Sequence, residues 1–298
     1  MLQAYRSKSD ITKAHIQMHL SIILWGATGV IGKAIDLSEG MLVWYRLIIT
    51  TLSLAGFIWF TGRSFRVSMT AFRRLAFVGV LLMFHWLLFY GAIKYSNVSI
   101  TLSVFASTTL FTALIEPVIT PKRFNRMELL YSLMAMAGIF VMFYTDTHSY
   151  TIGIVLALLS AFVGAFFNIL NKNIVNEVRS DVVSFYEIAA GLVVLTLILP
   201  FYIQYFQPEK LYPDTQDWVL LFILAIVCTH IALTLSLNAL KHLSAFTLNL
   251  SINLEPMYGI ALAFFIFGEN QNLNFGFFVG AGLILLSVIL HSYFAEKE

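Results

Sequence analysis

Charge is scarce in this chain: Asp, Glu, Lys and Arg make up 11% of its 298 residues, against about 25% in a typical soluble domain. A surface built to dissolve in water is excluded. The single cysteine, Cys228, excludes a disulfide framework, a thiolate metal cluster and a redox pair; inside an apolar stretch, it reads as a small buried residue. Polar connections are short as well. The longest, residues 206–216 with Pro208 and Pro213, leaves no room for a soluble domain. His15 and His19 have the i, i+4 spacing of a metal pair, but no Glu follows the first and no other cluster supports them, so they read as interfacial residues, with no metal and no cofactor expected.

What is present is apolar. Hydrophobic residues make up 59% and aromatics 15%. They are arranged in stretches of about 20, the length a helix needs to cross a hydrocarbon core of about 30 Å. Ten spans are predicted, near residues 16–35, 40–60, 74–93, 97–119, 129–145, 152–172, 183–205, 217–238, 244–267 and 274–294. The first is too long for a signal-peptide core and no small-x-small cleavage site follows it, so it is expected to remain as span one. Lys and Arg are retained in cytoplasmic loops. With the N-terminus inside, fourteen of the eighteen fall in cytoplasmic segments, Lys33, Lys94 and Lys210 fall outside, and Arg46 lies within a span. An all-α, multi-pass integral membrane protein with both termini cytoplasmic follows, expected in a bacterial inner membrane. The net charge of +2 then reports topology, and no nucleic-acid partner is expected.

Cut near Thr147, the chain divides into two units of five spans, 1–147 and 148–298. A duplicated unit with an odd number of spans must enter the bilayer the opposite way round the second time, and inverted repeats recur in transporters. The repeat is traceable by residue. Trp25-Gly26-Ala27 and Gly32-Lys33 of span one match Val163-Gly164-Ala165 and Asn171-Lys172 of span six, at offsets of 138 and 139. Ala92-Ile93-Lys94 of span three matches Ala239-Leu240-Lys241 of span eight, at an offset of 147.

These motifs, with Arg46 early in span two, Leu254-Glu255-Pro256 in span nine, Phe267-Gly268-Glu269 after it and Gly276, Gly280 and Gly282 in span ten, make the chain resemble the EamA-type permeases of the drug/metabolite transporter superfamily. The first half departs from that pattern. Pro121-Lys122-Arg123 stands where the family usually has Gly-Glu-Arg after span four, and Glu116-Pro117 sits further up the helix. The resemblance implies ten helices in two inverted repeats around a central cavity, working by alternating access on small metabolites, often amino acids.

Several residues suit such a cavity. Glu255 lies near the middle of span nine, where an ionised acid costs about 2.5–3.5 kcal/mol on insertion scales, so it must be paired, hydrated or protonated. It is a candidate proton-coupling site or counter-ion; the alternative is a structural cap of the kink at Pro256, which removes the hydrogen bond to the Ile252 carbonyl. On an unbroken helix Ser251, Glu255 and Tyr258 share one face, while Asn249, Asn253 and Pro256 lie nearly opposite. Both faces line a cavity only if the helix breaks. His85 and His230 sit at mid-depth in corresponding spans, placed to face each other as substrate or proton ligands, or simply to satisfy backbone groups. Trp25, Trp86 and Tyr90 suit apolar or cation-π walls, or plain packing. Asn168 is a mid-depth amide expected to face the bundle interior.

Arg46 and Glu187, in corresponding spans two and seven, are expected to snorkel and to serve anchoring or gating. Glu116, with Pro117 freeing the Ala113 carbonyl, suits an inner gate beside Lys122, Arg123 and Arg126, or ordinary helix-end chemistry. The stretch ending at Gly32-Lys33 is not a phosphate loop, because Ala27 fills its first glycine position and Ala34 its Ser/Thr position. The leading expectation is a secondary transporter or facilitator, monomeric or homodimeric, for small organic metabolites, with protons as a candidate partner and export preferred. Organic cations held by Glu255 are the first alternative and phosphorylated sugars a weaker one. A membrane enzyme is disfavoured by the missing Ser-His-Asp, paired-Asp and histidine clusters. A non-transporting sensor is the remaining class.

Overall fold

The computed structural model describes residues 8–142, 150–258 and 275–295, and every regular element among them is helical. In chain order these are α1 (Lys8–Gly26), α2 (Thr28–Ala34), α3 (Glu39–Phe60), α4 (Met69–Tyr95), α5 (Val98–Phe105), α6 (Ser107–Ile119), α7 (Arg126–Met142), α8 (Thr151–Ile174), α9 (Ser180–Phe206), α10 (Thr215–Phe222), a π-helical segment (Ile223–Ile231), α11 (Ala232–Leu240), α12 (Ala245–Ile252) and α13 (Phe275–Ala295). A helical turn at 255–258 follows α12. Seven described stretches are long and apolar enough to cross a bilayer: Ser9–Ala34, Glu39–Phe60, Met69–Tyr95, Ile100–Ile119, Thr151–Ile174, Ser180–Phe206 and Thr215–Leu240, with Phe278–Phe294 a shorter apolar helix. Predicted spans five and nine are described only in part, as α7 and α12, of 17 and 8 residues. The boundary at Thr147 and the motif Phe267-Gly268-Glu269 lie outside the described residues.

The bundle turns its apolar side chains outward as well as inward. Phe60, Val118 and Phe201 are exposed, a pattern that hydrocarbon accepts and water penalises. Inside, α4 packs against both α8 and α9, α3 against α9, α1 against α11, and α13 against α7. Small residues set the closest approaches. A methyl on Gly79 of α4 would collide with the backbone of Glu187 in α9, and a Cβ on Gly138 of α7 would sit 2.7 Å from the Gly280 carbonyl oxygen of α13.

Helix starts carry matching caps in the two halves. The Asn97 side chain accepts from the Ile100 N–H at 2.9 Å, and Ser244, 147 positions later, accepts from the Thr247 N–H at 2.9 Å. Caps of this kind satisfy donors left free by the first helical turn. Ion pairs tie the helix ends. At one end Arg63 and Arg179 both meet Asp181 at 2.6 Å, and Arg74 meets Glu177 at 2.9 Å. Lys122 bridges Glu116 at 2.9 Å and Glu128 at 2.7 Å. Burial disfavours the Lys122 charge, but the hydrogen bonds to Glu128 and Glu116 outweigh it and raise its pKa.

A separate cluster joins Lys210 to Asp36, Asp214 and Asp217, linking the start of α10 to the α2–α3 connection. The hydrogen bond from Lys210 holds the Asp214 carboxyl below its usual pKa, and the same contacts raise that of Lys210. A depressed carboxylate contributes stability that is complete above the ordinary aspartate range and is lost as pH falls through the lowered value. Lys210→Met is therefore expected to lower the apparent Tm at neutral pH. Melting curves across pH should show that deficit shrinking below about pH 4; a deficit unchanged down to pH 2 would contradict the assignment.

Candidate functional site

Besides the turn at Ala27 between α1 and α2 in the first span, two spans break in the middle of the bundle, at equivalent places. Between α5 and α6 the helix turns at Ala106, and after α12 it turns at Asn253-Leu254, again 147 positions apart. The local causes differ. In the first, the Thr108 hydroxyl donates to the Phe105 carbonyl at 2.6 Å, diverting a backbone acceptor within a Ser107-Thr108-Thr109 run, a known way for such residues to compete with a helix. In the second, Pro256 has no N–H for the Ile252 carbonyl, and the preceding turn tightens, with the Asn253 and Leu254 amides reaching three residues back to Leu250 and Ser251 at 3.2 and 2.9 Å. The Asn249 carbonyl accepts instead from Thr109 Oγ1 at 3.3 Å. Pro117, by contrast, sits within an unbroken α6.

Both breaks face a common cavity of about 90 Å³, room for several waters or a small solute. It is lined by Trp25, Thr28, Arg46, Leu82, His85, Trp86, Phe89, Tyr90, Phe105 and Thr108 from the first half, and by Gly164, Phe167, Asn168, Thr229, Leu233, Asn249, Ile252 and Glu255 from the second. The repeat offset pairs several of these residues. At 147, Leu82 matches Thr229, Trp86 matches Leu233, Phe105 matches Ile252 and Thr108 matches Glu255. The cavity therefore lies where the two repeats meet their equivalents.

Arg46 is the cation of this cavity. It is 3% exposed, its guanidinium carbon lies 3.8 Å from the centre of the Trp86 ring, Nε donates to Thr229 Oγ1 at 2.8 Å and one terminal nitrogen donates to the Tyr90 hydroxyl at 2.7 Å. No carboxylate pairs with it among the described residues. Thr229 is aimed by the π-helical segment, its hydroxyl donating to the Leu224 carbonyl five residues back at 2.6 Å, and such wide turns often mark functional sites. Tyr90 gains its place because Gly32 has no Cβ; a methyl there would strike the Tyr90 ring. Glu255, 6% exposed, lines the same cavity and makes no hydrogen bond or ion pair among the described residues.

Neutral polar groups complete the wall. Asn168 Nδ2 donates to Asn249 Oδ1 at 2.6 Å, Asn249 Nδ2 donates to Thr112 Oγ1 at 2.6 Å, and Thr112 donates to the Thr108 carbonyl at 2.8 Å. His85 Nδ1 stands 3.0 Å from the Ser160 carbonyl; a carbonyl only accepts, so Nδ1 carries a proton. No group of three or more metal-ligating side chains occurs among the described residues.

Of the residues singled out in the sequence, Trp25, Arg46, His85, Trp86, Tyr90, Asn168 and Glu255 line the cavity, and the others do not. His230, next to Thr229 on the π-helical segment, is turned about a quarter turn away. Its Nδ1 lies 2.7 Å from Ser53 Oγ and its ring packs edge-on against Phe57, so it does not face His85. Ser251 is buried off the cavity, and the Tyr258 hydroxyl meets His19 Nδ1 at 2.9 Å; the break at 253–254 brings Asn249 and Ile252, rather than these, beside Glu255. Arg46 and Glu187 are expected from the sequence to snorkel, yet both are buried inside the bundle, Glu187 fully so. Stacking on Trp86 and two hydrogen bonds replace headgroup hydration for Arg46. Glu116 joins the Lys122 bridge at the end of α6, away from the cavity. Thr28, Thr108, Thr229 and Asn249 had not been singled out as ligands. The repeat offset is the signal that finds two of them, since it leads from Glu255 to Thr108 and from Leu82 to Thr229.

Comparison with known proteins now bears on this geometry. The chain matches the EamA-like transporter family twice, over residues 12–144 and 151–293, and it belongs to that family. It is 22% identical over 266 residues to an uncharacterized transporter, YxxF, of Bacillus subtilis (strain 168), covering 86% of this chain and 82% of that protein. A protein of known crystal structure shares the fold with a TM-score of 0.78 at 16% identity, over 96% of this chain and 98% of the other. The chain is thus an integral, multi-pass membrane permease of the drug/metabolite transporter superfamily that handles a small-molecule substrate, and not an enzyme.

Removing the Thr229 hydroxyl leaves Arg46 Nε without its acceptor. Thr229→Val is expected to cost about 1.5–3 kcal/mol, the range for hydrogen bonds to charged groups, while Thr229→Ser should stay near native. Thermal denaturation in detergent measures both, and equal stability of the valine variant would contradict the contact's importance.

Proposed function

We propose that the protein moves small zwitterionic metabolites, amino acids or related compounds, across a bacterial inner membrane by alternating access. In this reading ten spans form two inverted repeats, 1–147 and 148–298, with both termini cytoplasmic, and the broken spans four and nine move about the cavity. The observation that carries it is the pairing of Arg46 and Glu255 in one small cavity, each without a partner of opposite charge. The free guanidinium edge suits a substrate carboxylate, which an Arg fork binds in two-point fashion. The Glu255 carboxylate suits a substrate ammonium, with Trp25 and Trp86 as aromatic walls. A charge buried alone is costly, and a ligand of complementary charge offsets that cost.

The same pairing argues against the alternatives. Arg46 would repel an organic cation that Glu255 attracts, and one Arg is a weak counter-ion for a phosphate dianion. Export is the direction the resemblance favours. A non-transporting sensor would use the same cavity without flux.

Counterflow of radiolabelled amino acids in proteoliposomes tests the reading. Native protein should carry flux. Arg46→Lys and Glu255→Gln should each weaken apparent affinity by about tenfold or more, equal to about 1.4 kcal/mol. Flux of cations that survives Arg46→Lys but not Glu255→Gln would replace the zwitterion reading with the cation reading. Saturable binding with no flux of any solute would favour the sensor.

A further inference from the structure

We propose that Glu187 is a proton-binding site, the charge-reversed counterpart of Arg46, holding a proton in this conformation and releasing it when the cavity opens toward the opposite end. The inference rests on the transport reading above. Arg46 stands eighth in α3 (Glu39–Phe60) and Glu187 eighth in α9 (Ser180–Phe206), the equivalent helices of the two halves. Their surroundings are opposite. Arg46 lines the cavity and is held by Tyr90 and Thr229. Glu187 is sealed from solvent, and neither of its carboxyl oxygens has a hydrogen-bond partner.

A set of unpaired polar groups surrounds it. Asn171 of α8 is the polar side chain that reaches Glu187, yet its amide nitrogen and oxygen both lack well-formed hydrogen bonds. Ser184, one turn earlier in α9, also carries a buried hydroxyl without a partner. Buried groups of this kind are rare in folded proteins and call for a reason. The Glu187 backbone is pressed against Gly79 of α4.

No charge neutralises the carboxyl either. The helices packed on α9 are α3, α4 and α11. On α4, Arg74 pairs with Glu177; beyond α3, Arg63 pairs with Asp181, as does Arg179 before α9. Lys172 of α8 caps the end of α11, donating to the Leu240 and Leu243 carbonyls at 2.6 Å. Arg73 at the start of α4, Lys241 after α11 and His230, turned toward Ser53, make no ionic contact with Glu187 either. An unpaired carboxylate in so apolar a place is strongly disfavoured, so the group is neutral here.

In inverted-repeat transporters one repeat rocks against the other around a fixed site, and on this proposal the two halves exchange roles as they do so. The place that Arg46 takes beside the cavity in one state is then taken by Glu187 in the other. There, water reaches the carboxyl, Asn171 and Ser184 solvate it, and the O–H proton passes to solvent, leaving a carboxylate. The return step cannot reseal that charge until a proton from the same side re-forms the acid, so the pH on that side gates the return.

Two measurements test this. Infrared spectra of native protein in membranes should contain the carbonyl band of an acid without hydrogen bonds at neutral pH, missing from Glu187→Gln. No such difference between the two overturns the proposal whatever the transport result. In proteoliposomes with the same pH on both sides, counterflow of pooled radiolabelled amino acids by native protein should fall by tenfold or more as pH rises from about 5 to about 8. Glu187→Gln should keep counterflow and lose that pH dependence. The same pH dependence in the variant, or native flux indifferent to pH, overturns the gating role; absence of any native flux overturns the transport reading and leaves the infrared result to decide the proton site. If Glu187→Gln does not fold, Glu187→Asp serves in its place. It should shift the band and the pH profile of counterflow, and an unchanged band would overturn the assignment.

Discussion

A guanidinium buried in a helical bundle must be held by protein groups, and the centre of this protein is organised around that constraint. Arg46 finds a ring face in Trp86, a hydroxyl in Tyr90 and another in Thr229. Each partner depends on something further out. Tyr90 needs the missing side chain of Gly32, and Thr229 needs a π-helical turn to point inward. Arrangements of this kind are costly to build, and on the proposed reading a solute of complementary charge offsets that cost.

The broken spans supply the rest. Thr108 and Asn249 come to the cavity because α5–α6 and α12 turn at equivalent positions, one through a side-chain hydrogen bond and one through a proline. Irregular backbone at membrane depth is tolerated where it lines a cavity, and paired interruptions in the two halves are the signature of a binding site between inverted repeats. The amide chain from Asn168 to Thr108 then fixes the second half's side chains against the first.

Much of this was legible in the sequence. Apolar spans located helices among the described residues, and the motifs repeated at offsets of 138 to 147 located the duplication, because those signals are summed over many residues. Single side chains were harder. Trp25, Trp86, Tyr90 and Glu255 were found because aromatics and an acid at mid-depth are conspicuous. Arg46 was read as a snorkelling anchor, since distance from a helix end says nothing about which neighbour it faces. His230 was misplaced for a related reason: the widened π-helical turn changes the angle between successive side chains, and no local residue type announces it. Thr229 and Thr108 are inconspicuous by type, and only the repeat arithmetic singles them out.

The most direct test of the central claim, that a solute is held between Arg46 and Glu255, is a comparison of three ligands on native protein. Quenching of tryptophan fluorescence, with Trp25 and Trp86 in the cavity wall, would follow binding of an amino acid, its carboxamide and its deaminated acid. The expected result is saturable binding of the amino acid, with each singly charged analogue weaker by tenfold or more. Equal affinity for all three, or preference for the amide, would contradict the arrangement of charges on which the rest is built.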